Sequence, residues 1–450
     1  MKRSAGTGIR AVTADILFSV LEKGALSHLA LRDALGAHDA FSREDKAWIT
    51  RVTEGTLEKT VTLDYALGFY SRVPVKKMQP YVRTVLRMSF YQLFFMDGVP
   101  DYAVCDEAVR LIRRRVSNLS GFVNGVLRSA VREPDKWRLP DRERDPVRYA
   151  EIRGSLPEWI AQLWLREFGE AELLRLAETE PESRSVVIRV NESRIDVSAL
   201  RQRLRVEGAE TEPVEGMTAA LKLARGVSPA ALPAYREGLF CIQNPASMLV
   251  CTAAGIRPGT RVLDLCAAPG GKSLHAADLM RGEGEILACD KSEGKVKQIR
   301  ENAARCGFDI VRSTVNDAAL MNPAWEAAMD TVIADLPCSG LGDILAKPDL
   351  RYRLRPEDIG ELAALQRRML AHAVSYVRPG GTLVFSTCTV TREENEENRE
   401  FLLSRGLVPV SLVGRVPDRY AGAHAEEGFL QLLPCAEHDG FYLAVFEKRT

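Results

Sequence analysis

The chain has 450 residues, too many for one hydrophobic core, so roughly two or three domains are expected. Hydrophobic residues make up 46% and charged residues 27%, a balance that excludes a disordered chain, and no apolar run approaches a membrane span. Formal net charge is zero, yet residues 1–133 carry 20 Lys/Arg against 14 Asp/Glu, a +6 surplus that the remainder cancels, as expected of two unlike halves or of a part facing nucleic acid.

Residues 1–133 read as almost entirely helical. The basic N-terminus lacks the apolar core and small-residue cleavage site of a signal peptide, so it reads as a first amphipathic helix, with Val12, Ile16, Leu17, Val20 and Leu21 at helical spacing. Ser42 with Asp45 predicts a capping box for a second helix. Further helices are expected near 77–96, 102–116 and 119–131. Arg110, Arg113, Arg114 and Arg115 form a basic cluster that suits either a solvated helix face or a phosphate contact. Residues 134–154 are rich in Pro and charge without periodicity and read as a linker. Ser155 with Glu158, and Pro157 in the first turn, predicts the start of another helix. A strand over 185–191 and a helix near 196–206 complete a small α+β module over 155–238, in which nothing suggests chemistry.

From 239 to 450 strands alternate with helices, which implies a largely parallel sheet covered on both faces, with ligands at the carboxyl ends of its strands. RVLDLC leads into a glycine loop and a helix from Ser273; GEILACD leads into a helix from Ser292 to Arg305; DIVRST and DTVIADL follow, then a helix over 356–377, GTLVFSTCT, a helix opened by a Thr391–Glu394 capping box, and FYLAVFEK.

In VLDLCAAPGGKSLHAADL, Gly270 and Gly271 free the backbone for a turn or for close approach to a ligand. The spacing matches neither G-x-G-x-x-G nor a Walker loop, which disfavours a dinucleotide-linked oxidoreductase. Asp264, Asp290 and Asp317 fall at successive strand ends. Three acidic tips round one crevice suit a nucleoside carrying positive charge, such as S-adenosylmethionine, with Asp290 on the ribose hydroxyls and Asp317 near the base amine.

Two further strand ends carry cysteines, in Asp335-Leu-Pro-Cys338-Ser-Gly and Phe385-Ser-Thr-Cys388-Thr. Nine cysteines, an odd number with no Cys-x-x-Cys pair, argue against a disulfide framework or zinc knuckle and for the cytoplasm. Cys251, Cys289 and Cys306 read as small hydrophobes. Cys338 and Cys388 instead exit on the ligand side. A pyrimidine carbon attacks a methyl sulfonium only after a thiolate has added to carbon 6, and a base must afterwards take the carbon 5 proton. Asp335 is close enough to Pro337 to bind the exocyclic amine and ring nitrogen of the base. The residues alone do not say which cysteine is the nucleophile.

Together, DLCAAPGGK, ADLPCSG and STCTV over about 240–450 resemble the Sun-type RNA 5-methylcytosine methyltransferases, and the helical region ending in SGFVNGVLR resembles the NusB-like RNA-binding domain. That is the layout of the bacterial small-subunit (16S) ribosomal RNA methyltransferase B family, so the resemblance spans nearly the whole chain. It implies a class I methyltransferase domain and cofactor contacts from Cys266, Ala267, Ala268, Pro269, Gly270, Gly271, Lys272, Asp290, Asp317 and Asp335. It also implies Cys388 as nucleophile, Cys338 as the thiol that aids product release, ribosomal RNA as partner, and neither metal nor membrane. The chain departs from the family at IQNPASM (242–248), which keeps Gln243 and Ser247 but loses two acids, and at Lys347, where a His or Arg is common. Lys272 reads equally as a surface lysine or as a group reaching the cofactor or target base. The competing reading, a binding protein on an inactive methyltransferase fold, is opposed by the intact Cys388, Cys338 and Asp335.

Overall fold

A computed structural model describes residues 8–38, 40–180, 186–224 and 226–449. They form two compact units, one of residues 1–179 with 347–354, the other of 180–346 with 355–450.

The first unit is helical. Its helices run Ile9–Lys23, Ser27–Gly36, Arg43–Glu58, Thr60–Tyr70, Pro80–Phe95, Asp101–Arg115, Ser120–Arg132, Pro146–Arg153 and Glu158–Glu178. Apolar residues at helical spacing, among them Ile16, Leu17, Ile49, Leu86, Ile112 and Leu127, meet in one core. The Ser42–Asp45 capping box is present, each side chain bonding the other's backbone N–H. The stretch read as a linker contains the helix Pro146–Arg153, capped by Asp145, whose side chain accepts from Arg148 N. Ser155 does not cap the next helix. It sits at φ +52°, and its hydroxyl accepts from Val61 N at 2.9 Å, while Pro157 takes the N-cap position. Residues 347–354 belong here as well: buried Arg351 donates to the carbonyls of Glu58 and Gly154 at 3.1 and 2.8 Å, and Asp349 accepts from Ser27 Oγ.

The second unit holds two sheets. The strands β1 (Val187–Val190), β2 (Thr211–Pro213), β3 (Ala220–Leu223) and β4 (Phe240–Ile242) pair antiparallel in the order β2-β3-β1-β4. Of the strand expected over 185–191, Ser185 lies outside the described residues. The larger sheet comprises β5 (Arg261–Asp264), β6 (Glu285–Asp290), β7 (Val311–Val315), β8 (Met329–Asp335), β9 (Val377–Thr387), β10 (Leu407–Pro409), β11 (Phe429–Leu432) and β12 (Phe441–Lys448). Its order is β10-β12-β9-β8-β5-β6-β7, with β5 to β9 parallel and β12 antiparallel between β9 and β10.

Strand alternation divides the core. Val262, Ile286, Ile333 and Val384 face the helices Pro245–Ala254 and Gly271–Leu279, whereas Leu263, Val332, Leu383 and Phe385 face the helix Pro356–Tyr376. Burial on both faces is why these strands read as continuous apolar runs. Because β5 to β9 are parallel, their carboxyl ends lie along one edge, and Asp264, Asp290, Asp335 and Thr387 are each at or beside such an end.

Candidate active site

The crevice begins at Asp264, fully buried at the end of β5, where Oδ2 accepts from Ser273 Oγ at 2.6 Å and Oδ1 has no partner among the described residues. Burial, with lesser contributions from Asp335 and Asp290, pushes this carboxyl up to about 6. The chain then turns through Cys266, Ala267, Ala268, Pro269 and Gly270 into the helix Gly271–Leu279. Ala267 N donates to Cys289 O at 2.7 Å, and the Ala268–Pro269 peptide is cis. Gly270 has φ +111°, a conformation that side-chain-bearing residues avoid, so glycine is required there. Burial raises the Cys266 thiol and leaves it without thiolate character.

Asp290, at the tip of β6, is buried and has Lys295 Nζ 3.4 Å from its carboxylate. Asp317, beyond β7, accepts from Ala319 N at 2.9 Å. Asp335 ends β8 and is held on both oxygens: Ser386 Oγ donates to Oδ1 at 2.8 Å and Lys272 Nζ to Oδ2 at 2.6 Å. Burial would lower the Lys272 ammonium, but the Asp335 carboxylate outweighs it and raises the group above its ordinary value. Lys272 is therefore not a surface lysine. It is a largely buried cation joining the glycine loop to the end of β8.

Cys338 and Cys388 leave adjacent parallel strands, Asp335 pairing with Ser386, and their sulfurs lie 3.3 Å apart. The Cys338 hydrogen bond, then burial, holds the Cys388 thiol well above its ordinary value. Gly342 N donates to Cys388 O at 3.0 Å, which pins the segment after Cys338 against the second cysteine loop.

Several partners were not visible in the sequence. The Thr391–Glu394 pair does form, at 2.8 Å, but it caps nothing: the helix starts at Glu396, and Glu394 also binds Ser339 of the Pro-Cys loop. Gln243 lies beside Gly271 and accepts from Arg189 Nε at 2.9 Å. Lys347 lies in the helical unit. In the basic cluster, Arg110 pairs with Glu107, and Arg115 pairs with Asp15 and stacks over Tyr81; Arg113 and Arg114 are exposed with no acidic partner among the described residues.

The crevice fits S-adenosylmethionine on its own residues: a positive-φ glycine where backbone must come close, a buried carboxylate at the second strand tip, and further carboxylates that favour a sulfonium.

Comparison with known proteins gives the same picture along the whole chain. Residues 252–447 match the model described as 16S rRNA methyltransferase RsmB/F, residues 7–132 the NusB family, and residues 156–229 the ferredoxin-like domain of RsmF/B-like methyltransferases. The chain is 34% identical over 451 residues to the probable ribosomal RNA small subunit methyltransferase B of Bacillus subtilis, covering 98% of this chain and 99% of that protein. It is 29% identical to the ribosomal RNA small subunit methyltransferase B of Vibrio cholerae, covering 98% of each. Among solved structures, a methyltransferase homologue from Pyrococcus horikoshii aligns with a TM-score of 0.55 at 27% identity, covering 66% of this chain and 97% of that one. The chain thus carries, in order, a NusB match, a ferredoxin-like match and a methyltransferase match, and it belongs to the S-adenosylmethionine-dependent 16S rRNA methyltransferase RsmB/F family.

Proposed function

We propose that the protein methylates carbon 5 of a cytosine in small-subunit ribosomal RNA through a covalent bond between Cys388 and the base. The observation that carries this reading is the pair of thiols 3.3 Å apart beside Asp335, at the edge of the cofactor crevice. Methylation of an exocyclic amine has no use for two thiols; carbon 5 chemistry needs one group to add and another to assist elimination.

Bound S-adenosylmethionine supplies an electrophilic methyl group on a sulfonium. Cys388, as thiolate, forms a bond from Sγ to carbon 6 of a base swung out of its stack, and ring N3, which with the exocyclic amine faces Asp335, takes a proton from water. Carbon 5 is then enamine-like and accepts the methyl group. Cys338, in its thiolate form, takes the carbon 5 proton and becomes a thiol, the Cys388–carbon 6 bond breaks with its electron pair returning to sulfur, and N3 gives its proton to water. Lys272 fixes Asp335 through these steps. Incubation with labelled S-adenosylmethionine and small-subunit RNA should give 5-methylcytidine on nucleoside mass spectrometry; label in N4-methylcytidine instead, or none in RNA, would overturn the reading.

In this reading Asp290 binds the ribose hydroxyls. Asp290→Ala should weaken S-adenosylmethionine binding by about 1.5–3 kcal/mol, the range for hydrogen bonds to a charged group. Unchanged affinity by calorimetry would remove Asp290 from the site.

Residues 1–133 grip the RNA backbone while residues 239–450 do the chemistry. Arg113 and Arg114, which have no acidic partner among the described residues, are the phosphate contacts. Each Arg→Ala change should shallow the log–log salt dependence of RNA binding by about 0.7–0.9 and leave cofactor affinity unchanged. An unaltered slope would mean that this region docks protein rather than RNA.

A further inference from the structure

Glu394 is completely buried, and its hydrogen-bond partners are uncharged donors. Oε1 accepts from Ser339 N at 2.9 Å and Gln366 Nε2 at 3.0 Å, and Oε2 from Ser339 Oγ at 2.6 Å and Thr391 Oγ1 at 2.8 Å. A buried carboxylate costs several kcal/mol unless its lone pairs are satisfied, so its position needs a reason beyond packing.

That reason lies in which segments it gathers. Ser339 directly follows Cys338, and Thr391 lies three residues after Cys388. Gln366, from the helix Pro356–Tyr376, spans Glu394 and Pro337 O, the latter at 2.9 Å, so the residues on both sides of Cys338 are held. Ser339 Oγ also meets Thr389 Oγ1 at 2.6 Å, which ties the two cysteine loops directly. On either side of Cys388, Thr387 Oγ1 donates to Asn395 Oδ1 and Thr389 O accepts from Asn395 Nδ2, Asn395 being the residue next to Glu394. Asn398 Nδ2 fixes the Gln366 amide at 2.8 Å.

We propose that Glu394 is a positioning residue for the reaction: its carboxylate clamps the Pro-Cys and Thr-Cys loops together and sets the separation of Cys338 and Cys388. Its catalytic consequence rests on the reading of these two thiols as the reacting groups; the clamp itself does not. Loss of the carboxylate leaves four donors without their acceptor and lets the loops drift, whereas the glycine loop and Asp290, on other strands, keep their own partners. Glutamine keeps one acceptor oxygen, and its amide can donate to the Ser339 and Thr391 hydroxyls once these rotate.

The test measures thiol spacing and activity separately. A diazenedicarboxamide oxidant takes two electrons and two protons from a close thiol pair, forming the S–S bond and the corresponding hydrazine, and peptide mass spectrometry counts the product. The reduced Cys241–Cys306 pair, 3.4 Å apart and buried elsewhere in the same unit, is the internal reference. Glu394→Ala should lower kcat about a hundredfold, the scale of an ångström-sized misplacement, with the Kd for S-adenosylmethionine within about threefold. The Cys338–Cys388 product should fall while the Cys241–Cys306 product does not, and Glu394→Gln should recover much of both losses. Unchanged Cys338–Cys388 crosslinking in Glu394→Ala overturns the clamp, as does a parallel loss of cofactor affinity and of the reference crosslink. Reduced crosslinking with undiminished methylation would uphold the clamp and refute the thiol chemistry. Should Glu394→Ala not fold, Ser339→Ala, which removes one hydroxyl donor and keeps the backbone N–H, should show the same pattern with smaller losses; its absence there overturns the clamp equally.

Discussion

Cys388→Ala should give neither methylated RNA nor a covalent adduct, with a loss of roughly a thousandfold or more, because no later step occurs without addition to carbon 6. Cys338→Ala should still methylate the base but fail to release it, leaving an RNA–protein adduct that survives denaturing electrophoresis and carries the methyl label. The opposite phenotypes arise from timing: addition precedes methyl transfer, and elimination follows it. The pH dependence is a second signature. With Cys388 held above its ordinary value by the Cys338 hydrogen bond and by burial, little of it is thiolate near neutrality. Raising the pH deprotonates it, so single-turnover adduct formation should increase about tenfold per pH unit until the thiol titrates. In Cys338→Ala the first of these causes is gone, and the rise should move to lower pH. The two phenotypes exchanged would reverse the roles, and retained activity in Cys388→Ala would exclude that thiol as nucleophile.

How far the sequence could carry the reading depended on the range of the interactions. The parallel sheet was legible because both-face burial writes itself locally, as in DTVIADL and GTLVFSTCT, and because acidic and thiol residues stood at the ends of those runs. The Ser42–Asp45 box was legible because both partners lie in one helical turn. The same rule misled at Thr391–Glu394, where the spacing is that of a cap but the decisive partner, Ser339, is 55 residues away. Ser155 repeats the error: it has the composition of a cap, yet its hydroxyl serves Val61. Lys272 was ambiguous for a related reason, since a lysine at a helix start reads as solvated until Asp335 is placed beside it. The helix Pro146–Arg153 was hidden by its charged, proline-bearing surroundings, where a cap and a short run outweigh the missing long periodicity.

Asp278→Ala should be the most destabilising single change away from the chemistry. Arg189, on β1 of the small sheet, is almost wholly buried, and its Nη1 lies 2.5 Å from Asp278 Oδ2 on the glycine-loop helix Gly271–Leu279. Asp278 further accepts from Glu192 N at 3.1 Å, Ser193 N at 2.8 Å and Ser193 Oγ at 2.7 Å. One carboxylate thus fastens the turn after β1 to the helix that follows the cofactor loop. Its removal strands a guanidinium whose Nη2 already lacks a partner among the described residues, so the cost should be that of an uncompensated buried charge, about 3–5 kcal/mol, rather than that of a surface pair. Urea unfolding followed by circular dichroism measures it. The double variant Arg189→Met/Asp278→Ala should regain part of the loss, because the buried charge goes with its partner, although the Glu192 and Ser193 donors stay unmet. A loss below about 1 kcal/mol in the single variant would place the pair among solvent-screened bridges. No recovery in the double variant would assign the effect to the backbone donors of 192–193 alone.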